Sequence, residues 1–87
     1  MKETLDLAKK RAPNIVGCKF TDSDLGEVGL LSRAGYSVLI GADNMLLPAF
    51  VSGANGAIGI GFNIAGRVHR NIWDNYIKGD FKTADDW

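Results

Sequence analysis

Apolar positions recur along this chain in two rhythms, one helical and one strand-like. Over residues 1–11, Leu5 and Ala8, with Ala12 just beyond, follow helical spacing among charges, and Pro13 ends the helix because its ring clashes with continued α geometry. Ile15-Val16-Gly17-Cys18 then reads as a short apolar strand. Thr21 and Asp24 form a capping box for a helix over about 24–34, with Gly35 as its stop. A second strand is predicted over 36–40. Gly41-Ala42-Asp43 turns the chain, Asp43 caps a third helix that Gly53 closes, and Pro48 inside it predicts a kink or a late start. Residues 57–60 read as a third strand and 67–78 as a long helix, with Val68, Ile72, Trp73, Tyr76 and Ile77 on one side and Gly79 as stop. Asp80 caps one more helix, which Trp87 cuts short.

Strands thus begin near positions 14, 36 and 56, each followed by a helix. A period of about twenty residues is what repeated βα units in a parallel sheet produce. The strands are short and continuously apolar, as parallel strands covered on both faces should be. The fold class is α/β, and periodicity alone leaves a slice of a (βα)8 barrel and a small open sheet both standing. The inward side chains of such a slice are Ile15, Val38 and Ile58, or their alternates.

Composition narrows the function. At 87 residues the chain is one small domain or a piece of one, far below the roughly 250 residues of a complete barrel. Ten basic residues balance ten acidic ones without runs of either sign, which argues against nucleic acid and anionic membrane as partners. Cys18 is the only cysteine, so no internal disulfide forms and a reducing, cytoplasmic compartment fits. A metal site would rest on His69 and carboxylates alone, and none is expected. The first residues are charged throughout and no apolar run has the length of a membrane span.

Lys19 is the most informative residue, because it comes directly after an apolar strand, where barrels build their active sites. To attack a ketone an amine must be neutral, and partial burial in an apolar barrel mouth favours that form. From position alone, a lysine that snorkels from a strand end to water is the commoner reading. Gly59-Ile60-Gly61 with Gly66 does not make a dinucleotide fingerprint, since Ile64 stands where the third glycine belongs. The same glycines before a helix N-terminus also allow a phosphate site. Cys18 alternates with Lys19 and is expected in the core, His69 is expected at the surface, and Trp73, Tyr76 and Phe81 fit helix packing.

Gly17-Cys18-Lys19-Phe20-Thr21-Asp22-Ser23-Asp24-Leu25 resembles the Schiff-base strand of the N-acetylneuraminate lyase and dihydrodipicolinate synthase family. Ile40-Gly41-Ala42-Asp43 resembles that family's seventh strand end and Gly53-Ala54-Asn55-Gly56-Ala57-Ile58-Gly59 its eighth strand. Gly79-Asp80-Phe81 with Ala84 resembles the start of the first helix beyond the barrel. The likeness implies the last three βα units of a (βα)8 barrel over residues 1–79 and the start of a C-terminal helical extension over 80–87. It further implies a class I aldolase that needs no cofactor, with Lys19 forming an imine with pyruvate or a larger 2-keto acid such as N-acetylneuraminate. An aldehyde is the second partner, and the parent enzyme is a homotetramer. In the lyase branch Thr21, Gly41, Asp43 and Asn44 map to sugar-binding positions, although Asn44 stands for the family's glutamate and Ile60 for a substrate-contacting serine. Dihydrodipicolinate synthase or another 2-keto-acid aldolase therefore remains an alternative. The family's acid–base tyrosine and its carboxylate-binding groups belong to earlier strands, and Tyr36 and Tyr76 do not sit in the tyrosine motif. The expectation is a chain inactive alone, from an incomplete gene or a deliberate cut. A small non-catalytic α/β module is the alternative of another class.

Overall fold

A computed structural model describes residues 1–87. In chain order the elements are α1 (Lys2–Arg11), β1 (Gly17–Phe20), α2 (Leu25–Arg33), β2 (Ser37–Ile40), α3 (Leu46–Ser52), β3 (Gly56–Ala57), α4 (Phe62–Ile77) and α5 (Phe81–Asp86). The three strands are parallel and lie side by side in sequence order. Cys18 pairs with Val38, Lys19 with Leu39, and Phe20 with Ile40, while Ile40 pairs in turn with Ala57. The α/β expectation therefore holds, with a helix after every strand.

Side chains alternate across a strand, so this register sorts the sheet into two faces. Phe20, Val38 and Ile40 are buried on one of them, in a single core with Val28 and Leu31 of α2 and Leu46, Ala49 and Phe50 of α3. Lys19 and Leu39 take the other face, which no helix covers. Val38 is consequently not an inward-facing barrel residue, and the inward set is its alternates. Ile58 remains half exposed beyond the end of β3.

Phe50 is 2% exposed and organises the helical layer. Its ring meets Trp73 edge-on at 4.9 Å and Tyr76 at 5.3 Å, and the Tyr76 hydroxyl donates to the Phe50 carbonyl at 2.9 Å. Stacking of Phe81 on Tyr76 at 5.7 Å brings α5 onto the same cluster, where Ala84 is buried. The three aromatics assigned to helix packing do pack between helices.

Several local expectations shift. β1 lies two residues later than the apolar run suggests, because the Ile15 amide turns back to the Ala12 carbonyl and the ladder opens only after Val16 accepts from Ser37. Lys19 consequently sits within the strand. The cap of α2 is Asp24, whose carboxylate accepts from the Glu27 amide at 3.1 Å, and Thr21 is not part of it. Asp43 does not cap α3, which starts late at Leu46 with no side-chain cap, so Pro48 falls in the first turn where its missing N–H costs no helical bond. Gly53 ends that helix at φ 120°, a left-handed backbone that glycine adopts without strain. β3 is shorter than predicted, and α4 begins five residues before the predicted 67, with a kink at Ala65. Asp80 caps α5 as expected, accepting from both the amide and the hydroxyl of Thr83.

At the other end of the sheet Asp6 of α1 accepts a short hydrogen bond from the hydroxyl of Tyr36, whose ring lies 5.6 Å from the Lys9 ammonium. Lys2, then Tyr36, hold the Asp6 carboxyl below its usual range, and the same bond pushes the Tyr36 phenol above its own. Asp6 therefore contributes stability above about pH 4 that is lost as pH falls through its depressed value, and Tyr36 contributes below about pH 10 until its raised value is passed. Replacing Tyr36 by Phe is expected to lower the unfolding temperature most between about pH 5 and 9, with the difference shrinking on either side. A difference independent of pH, measured by thermal unfolding of both proteins, would show that the bond contributes nothing.

Candidate active site

Lys19 projects from the uncovered face of the middle of β1, because Cys18 and Phe20 on either side are drawn toward the helices by the core. The side chain is exposed in this chain, so the burial expected of it is not supplied by these 87 residues. Its ammonium has no carboxylate within salt-bridge distance and no hydrogen-bond partner. Cys18, by contrast, is partly buried against the core, and burial pushes its thiol up, as befits a packing residue rather than a nucleophile.

Gly41 follows the neighbouring strand and lies against Lys19. A Cβ built there would stand 2.8 Å from the lysine Cε and would overlap the Thr21 hydroxyl. Lys19, Thr21 and Gly41 therefore form one compact group at the C-terminal ends of β1 and β2, and glycine is what leaves the lysine stem its path. Thr21 is exposed and its hydroxyl takes part in no intramolecular hydrogen bond, leaving it available to a ligand.

The remaining expected site residues are spread over the next two loops. Asp43 sends a carboxylate oxygen 2.7 Å from the amide of Gly61, which donates to it across from the turn after β3. Asn44 is exposed and shares with Asp43 a cleft of about 300 Å³ that also reaches Pro48, His69 and Trp87. Ile60, between Gly59 and Gly61, is 85% exposed. The structure thus brings Lys19, Thr21 and Gly41 into contact range and ties Asp43 to the Ile60 turn; Asn44 stands beside that tie.

Two features escaped the sequence reading. Gly61, considered above only within a glycine pattern for a phosphate or nucleotide, offers its amide to Asp43 instead; the Gly-x-Gly spacing around Ile60 is a signal of such close backbone approach. His69 is not simply at the surface, since its ring packs on Phe62 at 4.4 Å and its Nδ1 lies 2.7 Å from the Ala65 carbonyl, at the kink. Together with Leu46, Phe50, Phe62 and Trp73 it lines a cleft of about 310 Å³ between α3, β3 and α4. That cleft does not include Lys19, and it lies among the helices rather than on the lysine's face. We place the candidate chemistry at Lys19 because a strand-borne amine on an uncovered sheet face offers a group that can act on a ligand, whereas the gap between the helices is mostly apolar. No three His, Cys, Asp or Glu side chains converge as a metal ion would require, and no helix is long and apolar enough to cross a membrane.

Parallel βα units with a lysine on the sheet face opposite the helices define a section of an α/β barrel of the kind that carries its chemistry at the strand ends. The chain belongs to the dihydrodipicolinate synthetase family, whose model it matches over residues 2–87. It is 33% identical to N-acetylneuraminate lyase of Sus scrofa over 87 residues, covering 95% of this chain and 27% of the lyase. It is 36% identical over 83 residues to 4-hydroxy-tetrahydrodipicolinate synthase of Methanospirillum hungatei, covering 91% of this chain and 28% of that enzyme. The fold superposes with a TM-score of 0.86 on N-acetylneuraminate lyase from Fusobacterium nucleatum in complex with pyruvate, at 30% identity, covering 99% of this chain and 30% of that one. The chain therefore spans somewhat more than a quarter of the length of these relatives.

Packing at Gly41 is open to a direct stability test. Gly41→Ala forces Thr21 or Lys19 aside and is expected to cost about 1–3 kcal/mol, as overpacking does. Gly66→Ala, in α4 where an added Cβ meets nothing within 4 Å, is expected instead to gain about 0.5–1 kcal/mol. Denaturant unfolding distinguishes the two signs; a neutral Gly41→Ala would mean that the lysine stem does not need that space.

Proposed function

We propose that this chain supplies the sixth to eighth βα units of a class I aldolase, with Lys19 as the residue that forms an imine with a 2-keto acid. Residues 1–79 are then the barrel portion and 80–87 the opening of a helical extension. The observation that carries the reading is the lysine itself: unpaired, on the uncovered face of a parallel strand, with glycine and threonine beside it. Its family membership and the pyruvate in the Fusobacterium nucleatum relative support pyruvate as the keto acid.

In this reading the Lys19 Nζ adds to the keto carbon and water leaves, giving a protonated imine. The cation draws the electron pair of the breaking carbon–carbon bond while the substrate hydroxyl gives its proton to a base on the barrel's other strands, so an enamine and an aldehyde form. The enamine then takes a proton on carbon and water hydrolyses the imine, freeing the keto acid and Lys19; synthesis runs the same steps backwards. The remaining strands of the barrel would cover the face that is open here, which is why activity is assigned to the complete enzyme and not to these 87 residues alone. The homotetramer that the resemblance implies belongs to the assembled enzyme, and the single cysteine supports a cytoplasmic setting for it.

Thr21, Gly41, Asp43, Asn44 and Ile60 form the substrate side in the proposal. Asn44 and Ile60 favour an aldehyde partner less demanding than the sugar of N-acetylneuraminate, since one removes a carboxylate and the other a hydroxyl. A dihydrodipicolinate synthase-type or other 2-keto-acid aldolase accommodates both departures, and the Methanospirillum hungatei relative supports keeping that branch.

Borohydride reduction of the complete enzyme in the presence of pyruvate, followed by peptide mass mapping, is expected to find the adduct on Lys19. An adduct on another lysine would sink the assignment, and none in a folded enzyme would favour a non-catalytic α/β module. Efficiency on N-acetylneuraminate, assayed beside shorter 2-keto acids, is expected to fall about a hundredfold or more below that of a lyase that keeps the glutamate and the serine, because each lost polar contact is worth on the order of 1–3 kcal/mol. Steady-state assays with both substrate sets decide it; full lyase efficiency would mean that other side chains replace those contacts.

A further inference from the structure

Asp43 lies in the loop after β2, yet the structure uses its carboxylate in the turn after β3. Three observations converge on this. Its Oδ2 accepts from the Gly61 amide at 2.7 Å. A Cβ on Gly59 would come within 2.6 Å of the Asp43 Cβ, and one on Gly61 within 2.7 Å of Oδ2, so the turn presses on Asp43 at both of its glycines. Gly61 is also the residue from which α4 starts, and no side chain of that helix's own caps it.

Between these two fixed points stands Ile60. Its carbonyl accepts from the amide of Asn63 at 3.1 Å and from the Asn63 side chain at 3.2 Å, and the Phe62 amide donates back to Gly59 at 3.3 Å. The turn is therefore held from inside by its own hydrogen bonds and from outside by Asp43, with the Ile60 side chain left 85% exposed. A charge-assisted bond of this kind is among the stronger ones available to a loop. An oxygen already taken by a backbone amide is also less free to serve a substrate hydroxyl.

We infer that Asp43 is a positioning residue: through the Gly61 amide it fixes the Gly59–Gly61 turn and so sets where Ile60 meets the aldehyde part of the substrate. The inference rests on the reading of this chain as part of an aldolase, and it deepens that reading by assigning Asp43, among the residues of the substrate side, to act through the turn that carries Ile60 rather than on the substrate itself. Asp43→Asn keeps an oxygen that can accept from Gly61 while removing the charge, whereas Asp43→Ala removes the acceptor altogether.

The test compares wild-type, Asp43→Asn and Asp43→Ala forms of the complete enzyme by two readouts. Asp43→Ala is expected to change the ratio of kcat/KM for a short and a long aldehyde acceptor by about tenfold or more, as displaced pocket contacts do, and Asp43→Asn by less than about threefold. Hydrogen exchange of the Gly61 amide is expected to accelerate about tenfold or more in Asp43→Ala and to stay within about threefold of wild type in Asp43→Asn. Should Asp43→Ala fail to fold, Gly61→Ala intrudes on the same bond from the other side and is expected to shift the acceptor ratio likewise. Two results would overturn the inference: equal loss of the acceptor ratio in Asn and Ala variants with Gly61 still protected, which marks a carboxylate acting on substrate directly, or unchanged Gly61 exchange in Asp43→Ala. Absence of pyruvate trapping in the wild type sinks the aldolase reading instead, and the exchange measurement still decides whether the clamp exists.

Discussion

Parallel pairing of β1 with β2, Lys19 opposite Leu39 and Phe20 opposite Ile40, is the constraint on which the rest of the molecule depends. Adjacent residues of a strand face opposite ways, so the burial of Phe20, Val38 and Ile40 under α2 and α3 leaves Lys19 no choice of side. A slip of one residue would reverse this, sending an ammonium into the core and a phenylalanine to the open face. The register is thus set by apolar burial on one face, and its chemical consequence is on the other. Gly41 completes the arrangement, since the space it vacates is occupied by the lysine stem and the Thr21 hydroxyl.

The helical layer serves the same end less directly. Phe50 draws Trp73 and Tyr76 around itself, and Tyr76 in turn carries Phe81, so α3, α4 and α5 share one aromatic cluster. With α3 and α4 so held, the loops that lead into them start from defined points, and the bond from Gly61 to Asp43 joins those two loops to each other. Opposite this rim, the Tyr36–Asp6 bond anchors α1 beneath the sheet. Stability and candidate chemistry are divided between the two ends of the strands, as they are in barrel enzymes generally.

What could be read from the residues followed from features local in sequence. The βα order, the stop at Gly53, the cap at Asp80 and the aromatic face of the long helix all rest on spacing or on one residue's backbone preference, and the structure bears them out. The fold class and the family were legible for the same reason, because the Lys19 segment and the two following strand ends are contiguous motifs. Features that depend on a partner distant in sequence were not. Asp43 carries the composition of a cap, but its acceptor is taken by Gly61, eighteen residues on. Val38 looked as suited to the inward face as to the outward one until the helices covered it. His69 sits among polar neighbours, and only the fold at Ala65 turns its ring onto Phe62. That Lys19 lies within β1, on the face opposite the helices, likewise could not be read from its place after an apolar run.

The central claim is that the lysine on that open face is the nucleophile. Adding [2-13C]pyruvate to the complete enzyme and recording its 13C spectrum tests this most directly, with Lys19→Arg as the comparison, because arginine keeps the charge and cannot form the imine. The account requires an enzyme-bound imine resonance in the wild type that is absent from the Lys19→Arg protein; the same resonance in both would contradict it.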